Sequence, residues 1–176
     1  VPFENTPENA REILANLGRK IDVVGGIFDE TMLDLRSCAG LPLTQEAFCC
    51  AVSIHHPLAG KDKLKLQDLY GEDLLLMRRG WSRHVDELRD DILQNHNQIH
   101  IVDFEFYDTN IFNRCEHSND VLLAIHGWAN VHPLLKVIPV EWGYSIPYGL
   151  LHSPKPTETV KRFLSAARMA AQELML

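Results

Sequence analysis

The chain has 176 residues, with 17 basic against 24 acidic and a net charge of −7, so a surface built to neutralise phosphates is not expected. No apolar run approaches the roughly 20 residues that span a bilayer, and no cationic-then-apolar leader opens the chain. Hydrophobic content of 45% and 23% charged residues are ordinary globular values, and the length suffices for one domain or two small lobes.

Val1-Pro2-Phe3 reads as a strand remnant. Thr6 then caps a helix with Pro7 at its first position and Glu8 at the positive end of its dipole. Ala10, Ile13, Leu14 and Leu17 share one face, and Gly18 supplies a stop. Ile21–Gly26 is a short buried strand, giving a strand–helix–strand unit. Leu41-Pro42-Leu43 is a short extended piece, and 47–54 is apolar on both faces, as a strand covered on both sides would be. Pro57 ends that strand by fixing φ and removing a donor. Leu64–Leu69 is a turn, and Leu74–Met77 opens a second lobe as its first strand. Ser82 caps a helix bearing Val85, Leu88, Ile92 and Leu93, with Asp86 and Glu87 in its first turns. Ile99–Phe106 alternates as a strand with one face buried. Ser118 or Asn119 is expected to cap a helix over Asp120–Ile125 that ends near Gly127. Leu135–Val140 is a strand, and Ile146–Leu151 returns to the first lobe. A final helix from Thr157 to Leu174 turns Val160, Phe163, Leu164, Ala167, Ala171 and Leu174 inward. Alternating strands and helices argue for an α/β fold with mostly parallel sheets.

The order of these pieces resembles the effector-binding domain of LysR-type transcriptional regulators. There a Pro-Leu pair, an apolar strand, a Pro-Leu-Ala turn and an Asp-Leu turn follow one another, as Pro42-Leu43, 47–54, Pro57-Leu58-Ala59 and Asp68-Leu69 do here. The segment from Leu14 through Gly18 to Ile21-Asp22-Val23 is similar to another family stretch. The resemblance implies two Rossmann-like lobes of the periplasmic-binding-protein type 2 kind, joined by two crossing strands. Residues 1–52 with 146–176 would form the first lobe and 53–145 the second. It also implies that a first strand and helix, about 30 residues by the size of a βα repeat, are lacking and leave a strand edge open. Its further implications are a small-molecule effector bound between the lobes and a homodimer; the arginines of the 78–83 loop suit an anionic effector, and the unpatterned thiols suit a cytoplasmic location. DNA would be read only by an upstream helix-turn-helix domain absent from this chain.

Ligands of open α/β sheets bind beyond the carboxyl ends of strands. Arg78, Arg79, Gly80, Trp81 and Ser82 lie at such a place, where helix amides and arginines suit a carboxylate or phosphate and Trp81 offers a flat wall. The bland alternative is a solvated loop whose arginines pair with Asp86 or Glu87. Gly127 resembles the first glycine of the family's glycine-containing loop, where Trp128 and Ala129 replace the small residues and imply a bulkier pocket; Trp128 reads equally well as a core residue. Gly26, Ile27 and Phe28 would line the opposite wall, with Pro147 and Tyr148 near the hinge; Gly25 and Gly26 also suit a plain turn.

Nine histidines show no ligand spacing, so no metal and no cofactor are expected. The acidic run Asp86, Glu87, Asp90, Asp91 reads as a solvated face. Cys38, Cys49, Cys50 and Cys115 lack a Cys-x-x-Cys pattern and read as buried free thiols. No nucleophile motif, phosphate loop or complete dinucleotide fingerprint appears, which sets an enzyme behind a regulator. A transporter's solute-binding protein is the rival reading.

Overall fold

The structure, a computed structural model, describes residues 7–174. The expected strand at Val1–Phe3 and the Thr6 cap therefore lie outside the described residues. Two compact units emerge: one from residues up to Gln45 together with those from Ile146 onward, the other Glu46–Ser145. The first boundary falls at Gln45/Glu46 rather than at 52/53. The reason is pairing: Phe48–Ala51 lie against one strand of the second unit and Cys49–Ser53 against another.

The first unit begins with helix α1 (Pro7–Ala15) and strand β1 (Val23–Ile27). Between them the chain turns at Gly18, whose φ of +80° places it in the left-handed region. Helix α2 (Glu30–Arg36), which the sequence reading left unassigned, has a complete set of end signals. Asp29 caps it by accepting from the Met32 amide at 2.9 Å, and Ser37 closes it with φ +50°. Strand β2 (Ala39–Ser53) is continuous where two separate pieces were expected, because Pro42 sits with its ring exposed and does not interrupt the run. Strand β7 (Ser145–His152) returns antiparallel to β1, Gly26 opposite Gly149 and Ile27 opposite Tyr148. Among the described residues β1 pairs only with β7. Phe28, Met32, Leu41, Ile146, Leu151 and Val160 form the buried interior of this unit.

Helix α5 (Glu158–Leu174) starts where Thr157 Oγ1 accepts from the Val160 amide. Val160 is buried and Leu164, Ala167 and Ala171 are half-buried, but Phe163 is 50% exposed and does not turn inward as expected. Leu174's side chain lies outside what is described.

The second unit holds strands β3 (Asp73–Met77), β4 (His100–Phe104), β5 (Val121–Ile125) and β6 (Leu135–Pro139) beside the second half of β2. Their order is β6-β2-β5-β3-β4. The ribbon β5-β3-β4 is parallel, while β2 runs antiparallel to both β5 and β6, so the sheet is mixed. Helix α3 (Arg83–Asn95) buries Val85, Leu88 and Ile92, whereas Leu93 stays exposed. Helix α4 (Thr109–Glu116) starts at Asp108, which accepts from the Ile111 amide at 3.0 Å.

This last region corrects the sequence reading most. Val121–Ile125, expected as helix, is the central strand β5, and the helix is α4, just upstream. All five β5 residues are at most 2% exposed. A surface helix needs a polar side, and this run has none, because β2 and β3 flank it and apolar side chains cover both faces. Ser118 does accept from the Asp120 amide at 3.1 Å, but as a turn leading into a strand. One face of β5 joins a core of Leu75, Met77, Phe104, Ile111, Cys115 and Leu122. Each such buried leucine contributes about 1.5–3 kcal/mol of transfer free energy.

Candidate effector site

Because β3, β4 and β5 are parallel, their carboxyl ends Met77, Phe104 and Ile125 lie at one end of the second unit's sheet. The loops that follow, 78–82, 105–108 and 126–128, form a rim there. Antiparallel β2 enters at the same end, since Phe48 stands opposite Ile125. Glu46, just before it, accepts from the Gly127 amide at 3.1 Å.

The rim is a network of arginines and carboxylates. Arg78 donates its backbone N–H to Phe104 O, pairs through Nε with Glu105 at 2.7 Å and lies over the Trp81 ring at 5.4 Å. Arg79 pairs closely with Asp90. The hydrogen bond from Arg79 holds the Asp90 carboxyl below the usual carboxylate range. Both pairs are about half exposed. Solvent screens ion pairs this exposed, so each holds its partner only weakly. Gly80, with φ +89°, donates its N–H to Asp86 Oδ2 at 2.9 Å, and buried Ser82 caps α3 by accepting from Val85 N–H. Arg78 and Arg79 thus pair with Glu105 and Asp90, whereas Arg83 pairs with Glu87 at 3.3 Å, as the solvated-loop alternative expected.

Beneath the loop lies Arg89, a buried arginine on the inner face of α3. It donates to Met77 O at 2.9 Å and to Asp103 at 2.5 Å, tying the helix to the ends of β3 and β4. Its Nε stands 4.0 Å from Asp86 Oδ1, and among the described residues neither atom has a hydrogen-bond partner. Trp128 meets Tyr107 edge to face at 4.7 Å and Phe112 at 6.4 Å, and packs half-buried on the core. Tyr107 is itself fixed by donating to Leu123 O at 2.8 Å.

The second unit thereby brings Arg78, Arg79, Gly80, Trp81 and Ser82 to the same strand end as Gly127 and Trp128. In the first unit Gly26, Ile27, Phe28, Pro147 and Tyr148 are neighbours, Phe28 donating its amide to Pro147 O at 3.1 Å. Phe28 is nevertheless a core residue: a Cβ on Gly40 would lie 2.5 Å from its ring. Burial pushes all four thiols up, Cys49 to about 11 and Cys115 to about 12, the opposite of the lowered pKa that activates a nucleophilic cysteine.

The family model for the LysR substrate binding domain matches residues 1–172. The chain belongs to this family. Solved structures similar to this LysR domain include the effector-binding domain of QuiR in complex with shikimate, at 19% identity and a TM-score of 0.66 over 93% of this chain and 78% of that one. The LysR-family regulator CbnR matches at 18% identity and a TM-score of 0.64. That match takes in 93% of this chain but 56% of CbnR's. The regulatory domain of Synechocystis PCC6803 CcmR, in complex with 2-PG, matches at 13% identity and a TM-score of 0.58, covering 93% of this chain and 79% of that chain. At these identities the likeness is one of fold. No curated protein matches the chain, and none of the described helices is long and apolar enough to cross a membrane.

Sequence reasoning missed Glu46, Glu105, Asp103 and Arg89. For Arg89 a signal existed: it falls four residues after Val85 and three before Ile92, a charge on the apolar face of α3. Glu46 and Glu105 left no such mark, because each gains its partner only when strands distant in sequence pair.

Proposed function

We propose that this LysR domain senses a small anionic effector for a transcriptional regulator. The observation that carries the reading is the rim of the second unit. There Arg78 and Arg79, each in a weak, exposed carboxylate pair, flank the capped start of α3, with Arg78 over the Trp81 ring. Arg78, Arg79, Gly80, Trp81 and Ser82 receive the anion, with Gly127 and Trp128 at the same strand end. The candidate contacts on the first unit are Gly26, Ile27, Pro147 and Tyr148, Phe28 being buried in that unit's core. The complexes of QuiR with shikimate and of CcmR with 2-PG support the choice of ligand class. Occupancy favours one arrangement of a homodimer, and a coupling of about 1–3 kcal/mol suffices to change how upstream DNA-binding domains are presented in the cytoplasm. The domain performs no catalysis in this reading.

A thermal-shift screen against small carboxylic and phosphorylated acids, shikimate among them, tests it. A ligand at 100 times its Kd stabilises by about 2.7 kcal/mol, which for this chain length raises Tm by roughly 5–10 °C. Arg78→Ala and Arg79→Ala should reduce that shift. If neither substitution alters the response to a confirmed ligand, the anion is held elsewhere.

A further inference from the structure

At the opposite end of β5, about 13 Å from the rim by strand rise, the second unit has a cavity of about 300 Å³. Only serine, histidine, glutamate and asparagine residues from 53–56 and 116–119 line it. Their hydrogen-bonding capacity can be followed group by group. Ser53 Oγ accepts from the His55 amide and Ser118 Oγ from the Asp120 amide, which leaves each hydroxyl proton to donate. Buried His56 is used up: Nδ1 accepts from Leu58 N–H, and Nε2 donates to Asn119 O. His117 Nδ1 lies 2.8 Å from Asn113 O. A carbonyl only accepts, so Nδ1 carries the proton and Nε2 of the neutral ring is a lone-pair acceptor.

That acceptor faces another. Glu116 Oε1 lies 3.9 Å from His117 Nε2, so in the neutral ring no proton lies between two lone-pair groups. Among the described residues Glu116 Oε2 has a single long contact, 3.5 Å, to His132 Nε2. Arg114, the nearest guanidinium along the helix, is occupied by Asp120 at 2.7 Å. The pair also sits at the carboxyl end of α4, where the helix dipole favours positive charge. The described residues hold no group of three histidine, cysteine or acidic side chains arranged to bind a metal ion. An ammonium has a different requirement, acceptors at hydrogen-bond distance, and its nitrogen can lie about 2.9 Å from both atoms.

We propose that this cavity binds a small hydroxylated amine, its primary ammonium held between Glu116 Oε1 and His117 Nε2 and its hydroxyl received by Ser53 and Ser118. The site is separate from the effector rim, and its test does not depend on that reading. Ethanolamine titrated into the chain at pH 8, above the ordinary imidazole range, is followed through the histidine ring signals by NMR. The expected result is a saturable shift at His117 that ethylene glycol and sulfate do not produce. Glu116→Gln, which keeps shape and removes charge, should weaken it about tenfold or more, and Ser118→Ala should weaken it by a smaller factor. An unsaturable response, an equal response to ethylene glycol or sulfate, or undiminished binding in Glu116→Gln overturns the proposal.

Discussion

A methyl group placed on Gly149 would lie 2.0 Å from Leu41 O and 3.0 Å from Leu43 N, both rigid backbone. Gly149→Ala is expected to destabilise the chain by about 3 kcal/mol or more. Gly60→Ala, whose new carbon meets nothing within 4 Å, should stay within about 0.5 kcal/mol. Urea midpoints compare the two directly. Tyr144 gives a pH-dependent counterpart. Burial, then its hydrogen bond to Asp91, pushes its hydroxyl up to about 12. An unfolded tyrosine titrates near about 10, so the folded pKa is the higher of the two. The stabilisation is complete below about pH 10 and is lost as pH rises through about 12. Between pH 9 and 11 the parent chain should therefore lose more stability than Tyr144→Phe. A loss of equal size in both would dissociate Tyr144 from the alkaline limb.

Helix α3 illustrates how an element is set by its ends and by one buried charge. Ser82→Ala removes the cap and should destabilise by about 1 kcal/mol. Arg89→Met retains the apolar stem but strips the donor from Met77 O, for about 1–3 kcal/mol. Exposed Arg83→Ala should change little. Equal unfolding free energies for Arg89→Met and Arg83→Ala would show that the arginine anchors nothing. This helix was legible because Ser82 stands immediately before a clean Val85–Leu88–Ile92 periodicity. β5 was not, because a fully buried run of five residues has no periodicity to read and the two serine and asparagine residues before it imitate a cap. α4 and α2 escaped notice for a related reason: each is eight residues or fewer, too short for a pattern, and only the Asp108 and Asp29 caps mark them. At the candidate site the same limit recurs. The loop after β3 could be located from strand order, whereas the Glu105 and Asp90 partners of its arginines could not.

At the scale of the molecule, family order was legible from segment 47–54 and the Pro-Leu, Pro-Leu-Ala and Asp-Leu pieces around it, since a run apolar on both faces is rare outside covered strands. The position of the first crossing depended on which strands β2 pairs with, and that is long-range information. The division itself has a testable form. The second unit is a single stretch, Glu46–Ser145, with its own sheet and buried cluster. A fragment of residues 46–145 should fold alone and unfold cooperatively by circular dichroism. A fragment ending at Gln45 should not fold, because β7 and α5 come from the far end of the chain.

That interrupted connectivity matters during synthesis. Between Gln45 and Ile146 the ribosome adds 100 residues, which at about 5–20 residues per second takes roughly 5–20 s. Throughout that interval β1 has emerged without β7, its only strand partner among the described residues. The nascent amino-terminal portion must wait, apolar side chains uncovered, for a neighbour that has not yet been translated.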